Sequence, residues 1–188
     1  MIIIHMWFRL LLAFSQLFLT QSSNCVCTTV DCPVEGSNKI IMGNGGAIVD
    51  YSYTIFSNYP LVSSATATIT PDSLDHGSGT TSCTQSYSRM LEDDGAENCD
   101  AGHILANRLG GYGNTPLNIF PQSASVNRGI YAQFEGDIYD CMQNGANMGY
   151  LSWKFFYEND NHTMPNSVKY AATFTGGSCE TISSTFSN

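Results

Sequence analysis

Seven cysteines, Cys25, Cys27, Cys32, Cys83, Cys99, Cys141 and Cys179, run through a chain of 188 residues, and all of them lie beyond an apolar beginning. Met1 to Phe8 is apolar apart from His5, Arg9 adds a positive charge, and Leu10 to Leu19 forms a broken apolar core. Thr20-Gln21-Ser22 then puts small residues at −3 and −1 of a cleavage point, so residues 1–22 read as a signal peptide and 23–188 as one domain. An uncleaved anchor is the rival, but Arg9, Ser15 and Gln16 interrupt the run short of about 18 clean apolar residues. No later segment can span a bilayer. We therefore expect a secreted, extracellular protein with no membrane attachment once the leader is removed. In an oxidising compartment the cysteines are structural disulfides with one thiol left over, and their pairing stays open. Zinc is the competing use: Cys25, Cys27 and Cys32 lack a second close pair, and Cys99 with His103 lacks partners at finger spacing. Asn161-His162-Thr163 is an N-glycosylation sequon in polar surroundings, expected on a surface loop.

The composition narrows the fold further. Hydrophobic residues make up 43% and charged residues only 12% of the chain, which excludes a disordered tail, a coiled coil and a collagen-like repeat. Seventeen Gly, ten Tyr and ten Phe among many Ser, Thr and Asn suggest strands joined by turns, with some helix. Seven Lys and Arg against sixteen Asp and Glu give a net charge of −9, and −10 once Arg9 leaves with the leader. No broad basic surface can be built from that set.

Strand patterns run over Ile40–Phe56 around a Gly43–Gly46 turn, over Leu61–Thr70, and over Gly149–Tyr157 and Ser167–Thr175. The glycine turn lacks the Lys-Ser/Thr and the following helix of a phosphate cradle, so it reads as a hairpin. The loop Asp75-His76-Gly77-Ser78-Gly79 holds the residue types of a hydrolase triad but not the glycine spacing of a nucleophile elbow. Glu92, Asp93, Asp94, Glu97 and Asp100 do not follow calcium-loop spacing and read as a solvated acidic loop. The clearest helix is Ser123–Asn144, where Val126, Ile130, Phe134, Ile138, Cys141 and Met142 form one apolar stripe, with Gly145 as its stop.

Chemistry concentrates in residues 99–135. His103 follows a glycine at the end of a predicted strand, Asn118 and Gln122 flank Pro121 just before the helix, and Asn127 falls in the first helical turn. Asn127, Tyr131 and Glu135 are spaced by four and share a helix face. A base, neutral oxygen ligands, a carboxylate, Arg108 and Arg128 are the parts of a hydrated-metal phosphodiester site, which needs a base for water and a cation for phosphate charge. Taken one at a time, these residues also have ordinary uses as a loop histidine, a helix cap and surface ion pairs.

Order and spacing carry more than the single residues. Asp100-Ala101-Gly102-His103, then Asn118-Ile119-Phe120-Pro121-Gln122, then Asn127-Arg128-Gly129 with Glu135 eight residues beyond that Asn, resembles the DNA/RNA non-specific endonucleases of the ββα-metal (His-Me finger) class. The likeness is to the branch found as nuclease domains of bacterial toxins. It is strong over residues 99–140 and weaker at Met164–Tyr170. The resemblance implies an α+β fold, an antiparallel sheet carrying a ββα-metal motif. It implies His103 as general base, Asn127 as the direct protein ligand of one divalent cation, Mg2+ or another such as Mn2+, and Glu135 as a residue orienting one of the cation's waters. It places Asn118 near the base, helping to position that base or the phosphate, and Arg128 on the phosphate. Substrates would be DNA, with RNA as a second candidate, and the products 5′-phosphate oligonucleotides. Ala101 stands where the best-known members carry Arg, and Arg108 is the substitute this chain offers. A mature charge near −10 further implies weak, salt-sensitive binding in a local positive cleft. The alternative is a catalytically inactive secreted binding module on the same scaffold. A toxin, or the inhibitor of one, is a further role that the same site would serve.

Overall fold

The computed structural model describes residues 36–42, 45–56, 59–90, 99–158 and 163–188. The leader over residues 1–22, Cys25, Cys27, Cys32, the acidic residues Glu92, Asp93, Asp94 and Glu97, and Asn161 all lie outside them. Among the described residues eight strands form two sheets: β1 (Gly36–Met42), β2 (Ala47–Phe56), β3 (Tyr59–Ile69), β4 (Asp100–His103), β5 (Ile119–Gln122), β6 (Met148–Phe156), β7 (Ser167–Thr175) and β8 (Ile182–Ser187). The large sheet has the order β1-β2-β3-β6-β7-β8 and every pairing in it is antiparallel. The small sheet is the antiparallel ribbon β4–β5. Beside three short 3-10 turns, Pro71–Ser73, Asn107–Leu109 and Pro116–Asn118, the described residues hold the α-helices α1 (Ser82–Met90), α2 (Ala124–Val126) and α3 (Ala132–Gln143), the last two joined by a wide turn over Asn127–Tyr131. This is the expected α+β fold. The described residues between β3 and β6, which include His103, Asn127 and Glu135, pack over one face of the large sheet. Among the described residues no helix is long and apolar enough to cross a membrane.

Alternation builds that face. Val49, Tyr51 and Tyr53 of β2, Ala65, Ala67 and Ile69 of β3, and Leu151, Trp153 and Phe155 of β6 are buried, while Tyr150, Ser152, Lys154 and Phe156 point outward. Aromatic rings seal the sheet to the helix. Tyr170 packs against Phe134 at 4.9 Å and Trp153 at 4.5 Å, and Tyr131 meets Phe186 at 4.9 Å. Each such ring buries roughly 150–250 Å², or on the order of 4 kcal/mol per ring at ~25 cal/mol per Å².

The helix over 123–144 is present but not straight. Gly129 has a non-helical backbone (φ −108°, ψ −112°), and the wide turn around it interrupts the ladder. That break corrects two expectations. Ile130 leaves the apolar stripe and is 58% exposed, and Tyr131 turns into the core rather than sharing a face with Asn127 and Glu135. Phe134, Ile138 and Met142 keep the stripe, and Gly145 (φ 109°) ends it in the left-handed region. Val126 packs against the core part-buried, and Cys141 bridges to Cys179 across 38 residues and ties the end of α3 to the turn between β7 and β8. Loop-closure entropy makes such a bridge worth about 3–4 kcal/mol. Replacing both cysteines with serine should therefore lower Tm by roughly 7–14 °C, and a thermal melt that moves by less than about 2 °C would contradict this.

Candidate active site

The β4–β5 ribbon and the helix after it present the site. Register pairs Asp100 with Gln122 and His103 with Ile119, so His103 stands at the open end of β4. Gly102 is required by packing, since a Cβ there would lie 2.9 Å from the Gln122 Cβ and closer still to its Oε1. His103 Nε2 lies 3.0 Å from the Ser78 carbonyl oxygen. A carbonyl only accepts, so Nε2 carries the proton and Nδ1 keeps its lone pair. The Ser78 carbonyl is itself fixed by the Gly113 N–H at 2.9 Å. Gly113 must lack a side chain, because a Cβ there would come 2.6 Å from Nε2. Burial lowers the pKa of His103, against the smaller upward effect of the Ser78 bond, so the ring is neutral at pH 7.

Asn127 opens the wide turn. Its Nδ2 donates to Asp100 Oδ2 at 2.9 Å, which sets the amide orientation and leaves Oδ1 as the pole able to meet a cation. Glu135 comes from the first turn of α3. Burial pushes its carboxyl up to about 8, although Arg108 pulls the other way. His103, Asn127, Glu135 and Arg108 line one cleft of about 460 Å³, together with Asp75, Ala106, Asn107 and Ala132.

Two expected site residues do not line this cleft. Asn118 is wholly buried. Its Oδ1 accepts from the Tyr51 hydroxyl and the Leu105 N–H, both at 2.8 Å, and its Nδ2 donates to the Leu105 and Tyr112 carbonyls. With the amide so engaged it has no group to offer a phosphate, and what it fixes is the backbone two residues past His103. Arg128 lines a neighbouring cleft with Asp100 and the shared Asn127. Its Nε and Nη2 donate to Asp100 at 2.8 and 2.6 Å, an ion pair that commits one edge of the guanidinium and lowers the Asp100 pKa against the opposing effect of burial.

The donors suit a hydrated cation. Among the described residues no three His, Cys, Asp or Glu side chains converge on a metal-sized point, so an all-carboxylate cage is not on offer. One amide oxygen and one enclosed carboxyl are. Glu135 makes no ion pair within bonding distance among the described residues, and a positive charge beside it would relieve the cost of ionising it there. Magnesium usually keeps several of its waters and takes only one or two protein ligands.

Sequence reasoning missed Asp100 as the partner of Asn127, and placed Asp75 only in a loop without nucleophile-elbow spacing rather than in this cleft. The Asp-x-Gly-His order contained the first signal. Asp75 had none, because it sits on a distant loop.

The chain is similar to known proteins. A family model for DNA/RNA non-specific endonucleases matches residues 50–176. The probable deoxyribonuclease RhsA of Dickeya dadantii (strain 3937) is 39% identical over 107 residues, which is 57% of this chain and 7% of that much longer protein. NucA from Streptococcus agalactiae without metal superposes with a TM-score of 0.55 at 17% identity, covering 82% of this chain and 76% of NucA. With a magnesium ion bound, NucA superposes at 0.55 and 16% identity, covering 81% and 79%. EndoG from its complex with EndoGI superposes at 0.55 and 10% identity, covering 90% and 82%. The structural likenesses establish the fold. With the family model running from β2 through β7 over about two thirds of the sequence, the chain belongs to the DNA/RNA non-specific endonuclease family.

Proposed function

We propose that this protein is a secreted, metal-dependent endonuclease that hydrolyses phosphodiester bonds of DNA, with RNA as a second candidate substrate. One observation carries the reading. A neutral imidazole with an open Nδ1, an oriented amide oxygen and an enclosed carboxyl stand on the walls of one cleft. The magnesium in a structural relative is consistent with it. In this reading His103 Nδ1 takes the proton of the attacking water, and the Ser78 carbonyl steadies the imidazolium that forms. Asn127 would hold a divalent cation and Glu135 would orient one of its waters; when bound, the cation would supply charge for the phosphate and the leaving 3′ oxygen. Arg108 binds a non-bridging oxygen of the phosphate, in place of an arginine at Ala101. The Cys141–Cys179 bridge accords with an oxidising destination, and glycosylation at Asn161 belongs to the same proposal.

The test is plasmid DNA incubated with purified mature protein in magnesium, with and without chelator, beside Asn127→Ala. Cleavage should need the metal and fall at least 100-fold in the variant, with partial recovery at high magnesium. Absence of cleavage across several metals at low salt would favour the inactive binding module, which the acidic net charge also favours.

A further inference from the structure

The orientation of Arg108 depends on a side chain that has no role in the mechanism above. The Arg108 guanidinium carbon lies 5.5 Å from the centroid of the Tyr139 ring, and its Nη1 passes over Gly136, where a Cβ would stand 3.5 Å away. Glu135, Gly136 and Tyr139 follow one another on a single face of α3, so the guanidinium lies along the cleft wall between the Tyr139 ring and Glu135. Tyr139 is pinned in turn. Its hydroxyl donates to Asp75 Oδ2 at 2.6 Å and accepts from Gln143 Nε2 at 2.8 Å, and the Asp75 bond raises the phenol's pKa. Asp75 has a left-handed backbone (φ 62°) and donates its N–H to the Arg108 carbonyl at 3.0 Å. A carboxylate therefore stands beside the arginine, yet among the described residues Arg108 makes no ion pair. Arg128 shows the opposite outcome in the same chain, with Asp100 holding it by two bonds.

We propose that Tyr139 is a positioning residue that keeps Arg108 available to a substrate phosphate: its ring carries the guanidinium and its hydroxyl occupies Asp75, the carboxylate that would capture it. Stacking engages the face of the guanidinium and leaves the in-plane N–H donors for a phosphate, whereas a bidentate carboxylate consumes two of them. In a chain with sixteen acids and six mature Lys and Arg, an arginine left unguarded is readily neutralised. The inference rests on the proposed function and deepens it.

The experiment measures binding rather than cleavage, so that the two readings can fail separately. A labelled short single-stranded DNA is titrated with the His103→Ala protein at fixed magnesium, and anisotropy gives Kd across a range of salt. Arg108→Ala and Tyr139→Phe should each weaken binding about 5- to 10-fold and reduce the salt slope by about one. Asp75→Asn added to Tyr139→Phe should restore Kd to within about twofold, which a merely structural loss of the Tyr139 bond would not allow. Asp75→Asn alone keeps the ring in place and should tighten binding two- to threefold, giving a second measure if Tyr139→Phe folds poorly. Parent-like binding by Tyr139→Phe, no recovery in the double variant, or weaker binding by Asp75→Asn overturns the proposal. Undiminished binding by Arg108→Ala overturns it together with the reading of this cleft as a phosphate site.

Discussion

His103→Ala is expected to leave a folded protein whose magnesium-dependent cleavage of plasmid DNA is down about 10³-fold. The ring is half-buried, and its one hydrogen bond is to a carbonyl that the Gly113 N–H also serves. Removing it costs the water its base and costs the fold little. The parent enzyme should also show the base in its pH dependence. Desolvation lowers the His103 pKa below its ordinary value of 6.5, so kcat/KM should climb through a midpoint below 6.5 and be level by pH 7. A midpoint at or above 7, or near-parental rates in the variant, would remove His103 from the role.

Glu135→Gln should move activity and stability in opposite directions. Its carboxyl is raised from 4.5 to about 8 in the folded protein. Between those values the folded protein holds a proton that the unfolded chain has released, so the contribution to stability is full below about 4.5 and is lost as pH rises through about 8. Glutamine never ionises and escapes that loss. After allowance for solvent on the cleft side, the difference at pH 8 is on the order of 2 kcal/mol, or roughly 4–8 °C in Tm. In metal-free buffer at pH 8 the variant should melt higher than its parent, and at pH 4.5 the two should coincide. Added magnesium should raise the parent's Tm more than the variant's, while cleavage by the variant falls about 10- to 100-fold. Equal melting temperatures at both pH values would show that Glu135 carries no buried charge.

Period was the legible part of the fold. Alternation marked β2, β3, β6 and β7, and the three- and four-residue stripe marked α3, because each buries an apolar face. The elements that escaped bury too few apolar side chains to set a period, Tyr87 in α1 and Phe186 in β8. Helix α1 buries Thr84 and Ser88, binding the Gly113 and Asp100 carbonyls through hydroxyls, so no apolar stripe announces it. Its one local signal was Thr81 and Thr84, whose side chains each accept the other's N–H at the helix start. Strand β8 carries only Ile182 and Phe186 as apolar residues and depends on pairing with β7. At the site, the order of His103, Asn127 and Glu135 could be read in the sequence, since they lie on one ribbon and one helix. Asn118 could not be placed, because whether an amide faces a cleft or a buried backbone is decided by Tyr51, 67 residues away. Ile130 was misread for a similar reason: a glycine at 129 permits a break but does not announce one.

The ion pair between Arg128 and Asp100 has a kinetic consequence. It leaves Arg108 as the one cleft-lining arginine or lysine among the described residues without an ion pair, so a bound strand releases few counterions and is held by few bonds that must break together. Dissociation is then fast. For the proposed reaction, an enzyme of this kind departs after each cut and lands on another molecule. Its digestion should be distributive, nicking many strands once before any is shortened far, with no run of successive cuts along a single polymer.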